Sequence, residues 1–303
     1  MNALARFRSL PRQALASLGR SVAANSALRL FRRPQLKEES ASVHMLVSSK
    51  TWHAGVLAAA SFETHTRRQW PMYIHEDGSV SESARAEILK ILPGARFVPR
   101  TEADVRAEKM LSRFPRALAH RSKYNLFLKF ADTIAFAERG RFIVLDSDVI
   151  FFQTPKEILA WADSCSDSCL YNEDTKEKFC IPRGGIEAAL GVELLPRFNS
   201  GLVLMQKAAM DLALAEKFFA TFEANAHAPQ FFEQTLYALM ASTNPGGGSA
   251  LPRSYNISWN YWRDPGSVCR HYVGDFKHDL LYIEGAPFLL AALLGDRLTT
   301  AGK

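Results

Sequence analysis

Cysteine is scarce in this chain: 4 in 303 residues, Cys165, Cys169, Cys180 and Cys269. Their spacing fits no zinc pattern, and only the first two lie close together, which excludes a structural zinc module and a disulfide scaffold. They read as reduced thiols of a cytosolic protein, with a redox pair at Cys165/Cys169 left open. Long apolar runs are also missing. No stretch approaches the roughly 20 apolar residues that cross a bilayer. The run at 286–294 is too short and carries Pro287 near its start. Glycine clusters at Asn244-Pro-Gly-Gly-Gly-Ser249, but without the Gly-Lys-Ser/Thr of a phosphate-binding loop. That segment is expected to be a flexible loop with no nucleotide role.

Acidic residues are absent from the first 37 positions, which hold Arg6, Arg8, Arg12, Arg20, Arg29, Arg32, Arg33 and Lys37. With Leu, Ala and Phe between them, these read as a basic amphipathic helix broken at Pro11, suited to an anionic membrane surface. A disordered basic tail is the alternative; in a eukaryote an organelle transit peptide has the same composition. Arginines interrupt every apolar stretch, which argues against a secretory signal. The expectation is a cytoplasmic protein, peripheral on the membrane through residues 1–37.

What is present suits a globular enzyme. Hydrophobic residues make up 48% and charged residues 22%, enough for one large α/β core. The net charge of +6 is gathered in the tail and in one helix. No nucleic-acid module accompanies it, so nucleic acid is not an expected partner. The chain divides into an extension and linker (1–41), an α/β domain (42–285) and a C-terminal helix or tail (286–303).

Along the domain, strands at 43–47, 70–75 and 95–98 alternate with helices at 51–64 and 83–92. This order implies a parallel sheet with right-handed crossovers. Ser48 falls at the carboxyl end of the first strand, where ligands rest in such sheets. Helices follow at 101–112 and, as one long element, at 116–138. Thr154-Pro-Lys-Glu157 reads as a capping box opening another helix. A strand at 169–172 leads into a loop at 173–185, long enough to act as a lid. Helices are expected at 211–224 and 231–240. The aromatics Tyr255, Trp259, Tyr261 and Trp262 lie among Asn256 and Asn260, a mixture that suits sugar stacking or an ordinary core.

The chemistry concentrates at Arg141-Phe-Ile-Val-Leu-Asp146-Ser147-Asp148-Val-Ile-Phe-Phe152, two apolar runs with one polar break. On a continuous strand Asp146 and Asp148 point the same way. Two like charges between buried segments are costly unless a cation holds them, and hard oxygen ligands suit Mg2+ or Mn2+. A plain turn explains the triplet equally well. Further on, Asn199, Ser200 and Gly201 enter a strand at 198–205. The two polar side chains can hydrogen-bond a sugar, and the glycine permits close approach. His271 precedes a Val-Gly turn, with Lys277 six residues on, so the imidazole could join a metal and the lysine meet a phosphate. A lone histidine is also commonly structural.

Taken in order, these motifs resemble the family-eight glycosyltransferases, a retaining group with a GT-A fold. Phe142-Ile-Val-Leu-Asp-Ser-Asp-Val149 is similar to the family's metal-binding DxD strand. Lys123-Tyr-Asn-Leu-Phe-Leu-Lys129 resembles the preceding helix, Phe198-Asn-Ser-Gly-Leu-Val-Leu-Met205 the "FNSG" strand, and His271-Tyr-Val-Gly274 with Lys277 the C-terminal segment. Glu233-Gln234 stands where the family has Asp-Gln, and His278-Asp279 replaces its proline-tryptophan. The resemblance implies a Rossmann-like, mixed but mostly parallel sheet flanked by helices. It implies Asp146, Asp148 and His271 as ligands of Mn2+ (or Mg2+). Ser48, Lys123, Ser147, Ser200, Gly201, Gly274 and Lys277 would lie against a nucleotide-sugar donor, a UDP-sugar first among them. Gln234, Glu233 and Asn199 would act at the sugar, which passes to a glycan or lipid-linked acceptor with retention.

Two other readings use the same residues. An inverting transferase would need a carboxylate base, for which Glu233 is the candidate. A non-catalytic carbohydrate- or nucleic-acid-binding protein would bind through the aromatics or the basic surface.

Overall fold

The computed structural model describes residues 17, 41–258, 263–273 and 279–285. The basic segment 1–37 (Ser17 aside), Trp259 to Trp262, Gly274, Lys277 and the tail at 286–303 lie outside them.

Strand β1 (Ala41–Val47) is buried almost throughout, as the β-branched, two-sided strand of a covered parallel sheet must be. Helix α1 (Trp52–Thr66) returns the chain to β2 (Met72–Glu76), and α2 (Glu82–Ile91), capped by Ser81 Oγ on the Ala84 amide, returns it to β3 (Arg96–Val98). These strands pair in parallel, and β1 also pairs in parallel with β4 (Arg141–Leu145). The predicted alternation therefore holds.

Before β4 come α3 (Arg100–Leu111), α4 (Pro115–Lys123) and α5 (Leu126–Phe136). The single helix expected over 116–138 is two helices. Tyr124 adopts an extended backbone (φ −124°, ψ 111°) and breaks the ladder, with no Pro or Gly to mark the place. The break lets α4 pack on a different neighbour from α5.

The chain then leaves the large sheet. β5 (Val149–Phe151) is not a continuation of β4 but an edge of a second, three-stranded sheet. After α6 (Lys156–Asp163), β6 (Cys169–Glu173), α7 (Arg183–Leu190) and β7 (Phe198–Gln206), the order of the large sheet includes β3-β2-β1-β4-β7-β6. β7 runs antiparallel to both β4 and β6, so the sheet is mixed. No side-chain cap forms at the start of α6, so the predicted capping box is not realised; Pro155 itself takes the boundary position. The loop expected at 173–185 is shorter, because β6 runs through Glu173 and Arg183 already begins α7.

Helices α8 (Leu212–Phe222) and α9 (Phe232–Thr243) complete that side. The glycine-rich segment contributes a strand, β8 (Gly248–Ala250), parallel to β6, correcting the expectation of a free loop. The Asn244 side-chain amide fixes it by donating to Asp167 O at 2.7 Å and Gly247 O at 3.1 Å. β9 (Tyr255–Ser258) and β10 (Cys269–Tyr272) form the small sheet with β5. All four cysteines are free, three of them buried.

Alternation along β4 builds two cores. Ile143 and Leu145 face Val43, Met45, Phe62 and the small sheet. Phe142 and Val144 face Phe127, Phe130, Phe219 and Leu236. A fully buried side chain of this size contributes about 1.5–3 kcal/mol. Buried polar groups interrupt the sheet: among them, His44 and His75 lie side by side, 3.0 Å apart between Nδ1 and Nε2. Ser42 Oγ lies 2.8 Å from His44 Nε2 and 3.4 Å from Arg141 O.

Candidate metal and donor site

The two aspartates sit at the carboxyl edge of the parallel strands. β7, being antiparallel, brings its start to the same edge, with Leu145 opposite Leu202. The Asp146 amide donates to Gly201 O at 2.8 Å, and Asp146 O accepts from the Val149 amide at 3.2 Å. Asp146-Ser147-Asp148 is therefore a turn between two sheets, and the continuous strand expected from sequence is corrected. Asp148 O accepts from the Tyr272 amide at 2.9 Å, which ties the turn to β10. Because β7 holds one side of the turn and β10 the other, both carboxylates converge without any strand alternation.

They converge on His271. Ligand atoms of Asp146, Asp148 and His271 lie within 4.8 Å of one another. His271 Nε2 is 3.1 Å from Asp148 Oδ1 and 3.8 Å from Asp146 Oδ2. Asp148 and His271 are buried, at 7% and 6% exposure. Asn199 settles what the ring offers them. Its Oδ1 accepts from the Gly201 amide at 2.9 Å, and its Nδ2 donates to Asp174 Oδ2 at 3.1 Å. Oδ1 is thus an acceptor facing His271 Nδ1 at 3.0 Å, so Nδ1 carries a proton. Nε2 is thus the nitrogen presented to the two carboxylates, the orientation of a metal-ligating imidazole whose other nitrogen is held by a hydrogen bond. Two carboxylates and one oriented imidazole fit a divalent ion, with the carboxylate pair favouring a hard one. Gly201 is required here: a Cβ on it would sit 2.4 Å from His271 Cε1 and Nδ1. The close approach that the glycine permits is that of the imidazole.

One cation is already built in. Lys129 Nζ, on α5, lies 2.7 Å from Asp146 Oδ1, 3.1 Å from Glu233 Oε1 and 3.2 Å from Ser200 Oγ. Ser200 Oγ donates to Glu233 Oε2 at 2.9 Å. Burial would lower the Lys129 pKa, but Asp146 and Glu233 outweigh it and hold the ammonium raised. Burial pushes the Glu233 carboxyl up to about 7 in spite of Lys129. Gln234 Oε1 accepts from the Ser200 amide at 3.3 Å, and its Nε2 donates to Lys178 O at 2.7 Å, linking the site to the loop before α7.

Of the predicted residues, Asp146, Asp148, Asn199, Ser200, Gly201, Glu233, Gln234 and His271 come together in one network. Ser48 caps the turn into α1 through Thr51, its amide donating to Thr51 Oγ1 at 2.9 Å. Ser147 is half-buried beside Gly55, at the same edge of the sheet. Lys123 stands apart from the aspartates, at the end of α4, in a cleft that it shares with Glu233. The basic residue in contact with Asp146 is Lys129, which sequence reasoning passed over as a site residue. Its signal was an ammonium inside the otherwise apolar Phe127-Leu128-Lys129-Phe130-Ala131. Asp174 and Lys178 were also missed; nothing local marks them.

No protein-family model matches the sequence, and no curated protein matches it. Solved structures do match. Galactosyltransferase LgtC, solved with donor and acceptor sugar analogs, superposes with a TM-score of 0.54 at 17% identity, covering 84% of this chain and 95% of that one. Mouse xyloside xylosyltransferase 1 gives 0.53 at 13% identity, covering 78% and 97%. Glycosyltransferase GlyE of Streptococcus pneumoniae gives 0.51 at 12%, covering 85% and 64%. The chain has the mixed, mostly parallel α/β architecture of the GT-A glycosyltransferases.

Proposed function

We propose that this chain is a metal-dependent glycosyltransferase that moves a sugar from a nucleotide-sugar donor to a glycan or lipid-linked acceptor. The observation that carries the reading is the convergence of Asp146, Asp148 and His271 at the carboxyl edge of a GT-A sheet. Asp146, Asp148 and His271 would hold Mn2+ (or Mg2+), which when bound neutralises the charge of a departing nucleoside diphosphate. The chain's own residues prepare that site. Lys129 pairs with Asp146, and Asn199 turns His271 so that Nε2 faces the aspartates. Gly274 and Lys277 are assigned to the diphosphate and Ser48 and Ser147 to the nucleotide, a UDP-sugar being the first donor to try. The family resemblance supports the assignment of Ser147, Gly274 and Lys277, and the carboxyl end of β1 that of Ser48.

Retention is favoured over inversion. An inverting enzyme needs a free carboxylate base, whereas Glu233 is held by Lys129 and Ser200. Gln234, beside Ser200, is the residue assigned to stabilise the oxocarbenium-like sugar; unchanged turnover in Gln234→Ala would remove that role. Residues 1–37 are assigned to an anionic membrane surface, and their deletion is expected to release the protein from anionic liposomes. Among the described residues no helix is long and apolar enough to cross a membrane.

The test is calorimetry with a panel of nucleoside diphosphates, with and without Mn2+, on the protein and on Asp148→Ala. Metal-dependent binding lost in the variant supports the reading. Absence of binding to every nucleotide sinks it. The anomeric configuration of the product, by NMR, then decides between retention and inversion.

A further inference from the structure

Beside Glu233 of the Lys129–Glu233 pair lies an open cleft of about 450 Å3. It forms where the break between α4 and α5 meets the start of α9. Glu233 lines it, and none of the three metal ligands does. Through Lys129, Glu233 connects the cleft wall to Asp146.

Three features of the cleft bear on what it can bind. His120, in its wall, is fully buried, and neither ring nitrogen makes a hydrogen bond. Its Nδ1 lies 3.6 Å from Glu223 Oε1, so the tautomer favoured by that carboxylate leaves Nε2 with a lone pair. A buried acceptor without a donor is costly, and a ligand hydroxyl is the donor that would satisfy it. Lys123, exposed at the rim, makes no ion pair among the described residues; its Nζ lies 5.1 Å from the centre of the Tyr124 ring. Helices α5 and α9 both begin here, their first amides held by backbone carbonyls: Phe127 donates to Tyr124 O and Phe232 to Pro229 O.

The walls are aromatic. Tyr124 stacks on His120 at 4.3 Å between centroids, and Phe127 and Phe232 close the ring about it. Leu126, at the mouth, is one of the few large apolar side chains among the described residues that face solvent, at 52% exposure. An aromatic face with one hydroxyl acceptor and one free ammonium matches an acidic sugar: a pyranose ring to stack, hydroxyls to donate, and an anionic substituent.

We propose that this cleft is the acceptor subsite, binding a sugar that carries a carboxylate or phosphate group. The ring lies on Tyr124, a hydroxyl donates to His120 Nε2, and the anionic group meets Lys123. The proposal rests on the glycosyltransferase reading and names its acceptor class. The Lys129–Glu233 pair then borders both half-sites.

Saturation-transfer-difference NMR tests it, with Mn2+ and UDP present. The probes are methyl β-glucuronide, glucose 6-phosphate, methyl β-glucoside and inorganic phosphate, applied to the full chain and to Lys123→Glu and Tyr124→Ala. The two acidic sugars separate carboxylate from phosphate as the recognised group. At least one of them is expected to bind tenfold or more tightly than the neutral glucoside. That preference is expected to vanish in Lys123→Glu, and ring-proton saturation to weaken in Tyr124→Ala. Equal binding of the neutral glucoside, binding unchanged in Lys123→Glu, phosphate bound as tightly as glucose 6-phosphate, or no sugar bound at all would each overturn the subsite. Calorimetry of UDP with Mn2+ on the same wild-type sample keeps the two readings apart. If no nucleoside diphosphate binds there, the donor reading has failed; if UDP binds and the sugars do not behave as described, only the subsite falls.

Discussion

Gly201 lies so close beneath His271 that a single methyl group on it would stand 2.4 Å from the imidazole. The glycine of the Phe198-Asn-Ser-Gly segment is thus a steric condition for a histidine seventy residues later in the chain. Asn199, two residues before it, supplies the hydrogen bond that orients the same ring at 3.0 Å.

Gly201→Ala is therefore expected to displace His271 while leaving the sheet intact, because both positions are on ordered strands. The loss of an oriented ligand should weaken metal binding about 10–100-fold. A Mn2+ titration followed by electron paramagnetic resonance measures this. Asn199→Ala should move affinity in the same direction, and Mn2+ affinity within twofold of wild type in both variants would refute the positioning role.

Lys129 bridges two carboxylates at 6% exposure. Lys129→Met strands Glu233 and Asp146, and removing one partner of a buried pair costs about 3–5 kcal/mol. Chemical denaturation should register this, and Lys129→Met/Glu233→Gln should recover part of it. A single variant as stable as the wild type would show that the pair contributes nothing.

Metal should stabilise the fold if its ligands come from separate sheets. At a free Mn2+ concentration 100 times the dissociation constant, linkage adds about 2.7 kcal/mol. Thermal unfolding with Mn2+ and with EDTA should differ accordingly, and Asp148→Ala should abolish the difference.

Three buried histidines set the acid limit of stability. Burial lowers His44 well below 6.5, His75 to about 3 and His120 to about 4. Each is neutral when folded but takes up a proton at about 6.5 when unfolded. Their stabilising effect is complete above pH 6.5 and is lost as pH falls toward about 4 and 3. Each contributes a slope of about 1.4 kcal/mol per pH unit within that window. Urea titrations at pH 7, 6 and 5 should show the decline, and His75→Gln should flatten it.

Much of this was legible in the sequence, and the exceptions share a cause. Runs such as Phe142 to Leu145 announce a strand covered on both faces, and the alternation of strands with helices announces parallel pairing. Local periodicity reports local structure well. It could not separate a polar break within one strand from a turn joining two sheets, because Val149 to Phe151 looks the same in either setting. The split at Tyr124 escaped for a similar reason: the backbone breaks there without Pro or Gly, driven by where α4 and α5 must pack. Among the site residues, the aspartates and His271 were visible as residue types. Lys129 was overlooked in favour of Lys123, since only the fold shows which lysine is buried against Asp146.

The small sheet has a bearing on how the protein is made. β5 follows the aspartate turn directly, yet its hydrogen-bonding partner is β10, more than a hundred residues downstream. On the ribosome, where chains emerge at about 5–20 residues per second, the turn must wait several seconds with one side unsupported. The large sheet has most of its strands before β10 appears, but His271 arrives only with β10. Metal capture is thus postponed to the end of synthesis, and a nascent chain stalled before residue 269 would carry both aspartates and hold no ion.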